Sequence, residues 1–402
     1  MSRGYRRYFV ILITCLCLIA LVIAAGWFVR WRGNDWNNAA ELAAKLQTGG
    51  GFASTLTIPY SAFKRAIFLA RQPDVVVVGS SRGLMFRQSA FSWRFSNLGG
   101  GTTYPEYAFH LVDKFFTSHK PKIVLYEIDY FAYMPDDAPV RERPSATWKQ
   151  SGSVRTNPFF LPYRMVLSDR MAADQMLRLL SITPLPSLDF PVYGMTAVTN
   201  FEGGDGADGS AYILGTMDRV TSQTAEERFR DDLRCVRGEG DCRHPMRPFA
   251  DYDHRRIGQL KRLFAELREL DIHVVPFLAP LPPSLVRELQ RSDSYGYLQA
   301  LRNDMRRDLP EIFDMTDIER LGATDCEFYD ALHAGEVANL RVLRELATKD
   351  ALLDQALDHR NVDKIIASYA GSIMAVSDDT SRSVAPLIDA YRAKDVCKGT
   401  PQ

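Results

Sequence analysis

The sequence has no excess of charge of either sign: 49 Lys and Arg stand against 49 Asp and Glu over 402 residues. That balance gives no support to a nucleic-acid surface, which needs a basic field. There is no internal repeat and no low-complexity tract, so a repeat architecture has nothing to rest on. A Gly79-Ser-Ser-Arg-Gly turn invites a phosphate-binding reading, but it lacks a P-loop lysine and the Rossmann glycine spacing. Asp205 and Asp208 lie in an Asp/Gly-rich stretch without EF-hand spacing, which reads as a surface loop or hairpin and not as a calcium site. Cysteine is sparse, six in all. Cys235, Cys242 and His244 match no usual zinc spacing, and no metal or organic cofactor is implied elsewhere.

Long apolar runs are scarce too, with one exception. Phe9 to Val29 carries no charge and is mostly Ile, Leu, Val and Ala, about the length that spans a bilayer. Arg3, Arg6 and Arg7 precede it, and Arg30 and Arg32 follow. That bias puts the N-terminus in the cytoplasm. A cleaved signal peptide is the rival, given the small Ala24, Ala25 and Gly26, but the run exceeds a usual signal h-region and reads as an uncleaved anchor. The chain after about Gly33 is therefore expected on the extracytoplasmic side of the inner membrane, held by a single pass. An exported domain tolerates disulfides. Cys235 and Cys242 flank a short polar loop and are expected to pair, with Cys326–Cys397 as a second bridge.

Three segments follow from this: 1–33 as N-terminus and anchor, 34–72 as membrane-proximal linker and helix, and 73–402 as an α/β domain. Pro73-Asp-Val-Val-Val-Val-Gly-Ser-Ser-Arg-Gly-Leu opens the domain. Four valines in a row predict a strand buried on both faces, as in a parallel sheet. A short strand at Phe95 runs into a glycine-rich loop, Glu106–Phe116 has helical spacing, and Lys122–Asp129 is the next strand. Alternation of this kind argues for parallel strands with helical crossovers. About 136–249 is a large irregular insertion rich in Pro, Gly and aromatics, with one helical stretch at 168–180. Regular patterning resumes with a helix near Ile257–Leu270 and a strand at 271–280. A helix over 285–306, a short strand at 312–315, a helix over 337–356 and a helical tail complete the chain.

The chemistry sits at two strand ends. Ser81 follows the first core strand. Asp330 and His333 follow the last, at a spacing that puts both on one side of a helix-like turn. Strand C-termini of a parallel sheet share an edge, so the three can converge. Ser81 as nucleophile, His333 as base and Asp330 as its orienter is the expected logic. An oxyanion needs donors, for which the backbone N–H groups of Ser81 and of Gly99 or Gly100 are the candidates. Arg82 either binds an anionic group of a substrate or pairs with Asp129 or Glu127.

This order of segments resembles the SGNH/GDSL hydrolase superfamily. Gly79-Ser80-Ser81 is similar to its first block, with Ser80 where Asp is usual. Asn97-Leu-Gly99 resembles the second block, and Tyr329-Asp330-Ala-Leu-His333 the last. The likeness is nearest to membrane-anchored SGNH-like proteins of surface polysaccharide O-acetylation and teichoic acid D-alanylation. It implies a three-layer α/β fold and an esterase or O-acyltransferase that acts on a cell-surface glycan. It also implies a multi-span membrane acyltransferase as partner. Asp208-Gly-Ser-Ala-Tyr in the insertion is similar to a segment of such proteins. One departure stands out: the third block usually ends in an Asn that lines the oxyanion hole, whereas this chain has Asp129, which as a carboxylate cannot donate. A non-catalytic accessory protein that binds glycan or a membrane partner is the alternative this departure keeps open.

The topology is directly testable. A reporter that is active only in the cytoplasm, fused to the C-terminus, is expected to stay dark; a signal from it reverses the orientation.

Overall fold

The computed structural model describes residues 3–33, 38–52, 60–135, 161–167, 173–181, 191–194, 204–212, 223–239 and 247–375. The strands among these are β1 Gly51–Phe52, β2 Val75–Val78, β3 Phe95–Asn97, β4 Ile123–Ile128, β5 Val192–Tyr193, β6 Gly204–Asp205, β7 Ala211–Tyr212, β8 His273–Leu278 and β9 Phe313–Asp314. The helices are α1 Arg3–Arg32, α2 Ala39–Leu46, α3 Tyr60–Arg71, α4 Pro105–Leu111, α5 Leu161–Leu167, α6 Ala173–Leu180, α7 Ala225–Val236, α8 Arg255–Glu269, α9 Pro283–Arg291, α10 Gly296–Asp308, α11 Glu336–Ala347, α12 Ala351–Ala356 and α13 His359–Tyr369. α1 is long and apolar enough to cross a membrane.

Five strands form one sheet in the order β3-β2-β4-β8-β9, and every neighbouring pair is parallel. The four valines of β2 and all six residues of β4 are buried, which requires cover on both faces and explains the apolar run of β2 and of Ile123–Leu125, with Glu127 the one charged group buried in β4. The chain reverses direction at β2. It adds β3 on one side, then returns to lay β4, β8 and β9 on the other. Open α/β sheets form their ligand crevice at such a switch point, outside the strand C-termini. Ser81 leaves β2 there.

The structure departs from the sequence expectation in several places. The stretch before β2 is no mere linker: α2, β1 and α3 share a core of Leu42, Ala43, Leu46, Phe52, Phe63 and Ile67 with Tyr193. The helix expected over 168–180 is present as α6, Ala173–Leu180, with 168–172 outside the described residues, and α5 before it was not anticipated. The helix expected over 285–306 is two helices, because a 3-10 turn at Asp293–Tyr295 separates α9 from α10. α11 and α12 are separate as well, since Asp350 leaves the helical conformation and caps α12 through the Leu353 N–H at 2.9 Å. A small second sheet in the order β5-β1-β6-β7 was not anticipated. Its β6–β7 hairpin carries the Asp/Gly-rich stretch, which is thus the hairpin and not the surface loop, and Asp205 and Asp208 in it are buried. The Asp208 carbonyl accepts from Asn97 N–H at 2.7 Å and its carboxylate from Gln88 N–H at 2.7 Å, so the hairpin pads the β3 edge. Cys235 and Cys326 are both in disulfides; their expected partners Cys242 and Cys397, and His244, lie outside the described residues.

The hairpin is held by a buried ion pair. Lys64 on α3 reaches Asp205 at 3.2 Å and also donates to the Gly209 carbonyl. Tyr60 contributes its hydroxyl, 3.4 Å from both Asp205 and the Gly99 carbonyl. Burial pushes the Lys64 pKa down and the Asp205 pKa up, the desolvation cost that any buried pair carries. Asp205→Ala leaves Lys64 buried without its counter-charge and is expected to destabilise the domain by about 3–5 kcal/mol. The double variant Lys64→Met with Asp205→Leu is expected to recover most of that loss. Thermal unfolding followed by tryptophan fluorescence compares the three.

Candidate active site

Ser81 opens a 3-10 turn, Ser81–Gly83, directly after β2. The turn is tight for a stated reason. Gly79 has φ +153°, and a side chain there would meet Glu127 Oε2 at 2.4 Å, so only glycine lets β2 and β4 approach this closely. Ser80 caps the turn: its hydroxyl accepts the Arg82 N–H at 3.2 Å and donates to Glu127 Oε2 at 3.0 Å. The Ser80 N–H also donates to Glu127, at 2.7 Å. With Ser80 so fixed inward, Ser81 is the hydroxyl that faces out, and it is exposed.

The second half of the site is the loop Phe328–Ala334, closed on itself by a bridge between its ends. The Gly335 N–H donates to the Glu327 carbonyl at 2.8 Å, and the Tyr329 N–H to the His333 carbonyl at 3.2 Å. Beneath it the buried Glu327 carboxylate takes Arg341 from α11 at 2.9 Å. Asp330 accepts the amides of Leu332 at 2.8 Å and His333 at 2.7 Å. Tyr329 stacks on the His333 ring, with centroids 5.0 Å apart. The rotation of that imidazole is therefore set by backbone, carboxylate and aromatic face together.

The two halves meet. The Ser81 hydroxyl lies 2.8 Å from His333 Nε2 across 252 residues of chain. Nδ1 of the same ring lies 2.8 Å and 2.9 Å from the two Asp330 oxygens. Asp330 thus selects the tautomer that leaves Nε2 as acceptor for the serine proton. Burial alone would raise the Asp330 pKa, but the bonds from His333 and Leu332 outweigh it and draw it below the ordinary carboxylate range. Asp232 on α7 faces this carboxylate. Burial, then repulsion from Asp330 and Asp231, pushes it up to about 6.

The expected oxyanion donors are only partly available. The Gly99 N–H donates to Asn97 Oδ1 at 2.9 Å. The Gly100 N–H is taken by the carbonyls of Ser80 at 2.9 Å and Gly79 at 3.1 Å. Both amides are engaged by neighbouring groups, so neither can serve as an oxyanion donor without giving up a bond it already makes. The signal overlooked is Asn97, whose side chain also donates to the Gly83 and Phe86 carbonyls at 2.9 Å each. It stitches the glycine loop to the serine turn. The Ser81 N–H makes no hydrogen bond among the described residues and remains the candidate donor.

Arg82 and Asp129, the other two residues named from sequence, are both buried and meet each other. The guanidinium is buried and donates to the Leu332 carbonyl at 2.8 Å, to the Pro280 carbonyl, and to Asp129 at 3.4 Å. It lies over the Tyr130 ring, 5.1 Å from its centre. Asp129 Oδ1 also accepts the Phe131 N–H at 3.1 Å, capping a short turn. Of the pairings open from sequence, the one with Asp129 is realised, and the cation is consumed by it. A cavity of about 360 Å³ adjoins Tyr130, lined by Leu281, Val286, Leu289, Leu298 and Thr316 among others. Ser81, Asp330 and His333 do not line it.

Glu127 is the functional group that sequence reasoning left aside. It is buried, and Oε1 finds no partner among the described residues. Burial, then repulsion from Asp129, pushes its pKa up to about 7, against the pull of Arg82 and the bonds from Ser80. An unfolded glutamate titrates near 4.5. Between those values the folded protein holds a proton that the unfolded chain has released, so stability falls as pH rises through the window. Glu127→Gln keeps an acceptor for Ser80 and does not titrate. Melting temperatures from pH 5 to 8 are expected to fall in the native protein relative to this variant; a constant gap between the two curves refutes the assignment.

Comparison of the chain with protein-family models, with curated proteins and with solved structures returns no match.

Proposed function

We propose that this chain is an SGNH-like serine esterase or O-acyltransferase acting on a cell-surface glycan. On this reading the three-layer SGNH-like domain is anchored in the inner membrane and lies on its extracytoplasmic side. The observation that carries the reading is the relay Ser81–His333–Asp330, closed at 2.8 Å on both sides of the imidazole. The outward exposure of Ser81 adds to it, because a nucleophile at an open sheet edge suits a bulky polymer better than an enclosed small molecule.

The chemistry then runs in two halves. His333 Nε2 takes the Ser81 proton as Oγ attacks the acyl carbonyl, and Asp330 stabilises the imidazolium. The carbonyl oxygen becomes an oxyanion facing the Ser81 N–H. Collapse expels the leaving group, which takes the proton from His333 and leaves an acyl ester on Ser81. In the second half His333 deprotonates a sugar hydroxyl, giving transfer, or water, giving hydrolysis. A multi-span membrane acyltransferase is the partner this scheme would draw its acyl group from.

A second reading has a specific observation behind it. Asp129 stands where the resembled family uses an Asn donor, and its carboxylate is committed to Arg82. A chain that lost turnover and kept the fold to bind glycan or a membrane partner would look like this.

Covalent labelling separates the two. A fluorophosphonate is expected to modify Ser81 in the native protein, and Ser81→Ala to abolish the adduct without lowering the melting temperature. His333→Ala is expected to slow labelling by about 10³-fold or more. Ser80→Ala is expected to cost about 1 kcal/mol of stability through the lost cap while still labelling. Absence of any adduct on the folded native protein favours the accessory reading.

A further inference from the structure

Two helices of the insertion, α5 and α6, pack against the anchor helix. The Tyr163 hydroxyl of α5 donates to the Val22 carbonyl at 2.8 Å. In α6, Leu179 is buried, whereas Asp174 and Arg178 pair at 3.2 Å on the exposed side. Two large apolar side chains stand out from this pair of helices: Leu167 is 86% exposed and Leu177 is 65% exposed.

The place of that contact along α1 decides what surrounds it. The apolar run ends at Val29, and the body of the protein docks just beyond, where the Gly194 N–H donates to the Gly33 carbonyl at 3.0 Å. Val22 lies about two helical turns before Val29, roughly 10 Å along the axis at about 1.5 Å per residue. One leaflet contributes roughly half of a hydrocarbon layer about 30 Å thick. A group bonded to Val22 is therefore within the acyl region of the leaflet next to the folded body. A tyrosine hydroxyl at that depth has no water to bond, and the spare lone pair of a helix carbonyl supplies its acceptor. Trp27 and Trp31, both exposed on α1, fall at the level where such rings mark the edge of the bilayer.

We infer that α5 and α6 are monotopic membrane helices, seated in the leaflet beside the anchor, with Leu167 and Leu177 in contact with lipid acyl chains. The domain is then held to the bilayer by a second contact besides the single pass. The inference rests on α1 spanning the membrane and is independent of any acyl chemistry at Ser81.

The test uses the full chain in vesicles of phosphatidylcholine and phosphatidylglycerol. Cys15 and Cys17, the free thiols among the described residues, are changed to Ser, and this parent must take up no label. Leu167→Cys, Leu177→Cys and, as a water-facing reference on α13, Arg360→Cys are each labelled with an environment-sensitive nitrobenzoxadiazole dye. At the two leucine positions the emission is expected to shift to the blue. There doxyl-labelled lipid quenches strongly, and iodide quenching falls severalfold below that at Arg360→Cys. Iodide quenching equal to the reference overturns the inference, because the helices then face water. Exclusion of iodide without lipid quenching also overturns it, because a second copy of the protein then covers them. Melting temperatures matching the parent establish that the labelled variants are folded, and Leu167→Trp read by its own fluorescence repeats the measurement without a dye.

Discussion

One buried guanidinium ties the site together. Arg82 leaves the serine turn and reaches three other segments: Asp129 after β4, the Pro280 carbonyl after β8, and the Leu332 carbonyl in the histidine loop. A buried charge must be matched at nearly every donor, so the four segments can take few arrangements relative to one another. His333 is the next residue after Leu332, and Ser81 the residue before Arg82. The 2.8 Å approach of Ser81 to His333 is thus set by a contact between their immediate neighbours. Arg82 thereby fixes the approach of the two side chains from behind, as a positioning residue.

The parts of the fold that were legible are those whose information is local. Val75–Val78 announces a doubly covered strand, and β2, β4 and β8 sit where apolar runs end in turn residues. From parallel strands alone it follows that Ser81 and His333 share an edge, although a long insertion separates them. What was not legible depends on partners far away in sequence. Nothing near Gly100 says that its amide is taken by the carbonyls of Gly79 and Ser80, some twenty residues earlier. Asp208 looked like a surface residue because Gly-rich polar sequence usually is. It is buried because Asn97 and Gln88 offer N–H donors at an otherwise open strand edge. Continuous helical periodicity over 285–306 and 337–356 likewise hid the turn at Asp293–Tyr295 and the cap at Asp350.

The electrostatic balance of the site is the feature that most constrains its chemistry. Glu127, Asp129, Asp232 and Asp330 crowd around one buried cation and one imidazole. An oxyanion forming at Ser81 would meet a negative field if all four carboxyls were charged, and that field would oppose the transition state. Burial relieves part of it: Glu127 is pushed up to about 7 and Asp232 to about 6. Arg82 is paired with Asp129, which leaves Asp330 as the charge directed at the imidazole. The sites that need a negative neighbour and those that must avoid one are thereby separated. Asp330 is bonded to the His333 ring, whereas burial holds Glu127 and Asp232 closer to their neutral forms than ordinary carboxyls. On the proposed reading, Asp129 in the place of the resembled family's Asn need not disable the site on electrostatic grounds, because Asp129 and Arg82 pair with each other beside it. A carboxylate at position 129 offers no N–H, so on the proposed reading the stabilisation of an oxyanion falls on the Ser81 amide at the start of its turn, which makes no hydrogen bond among the described residues.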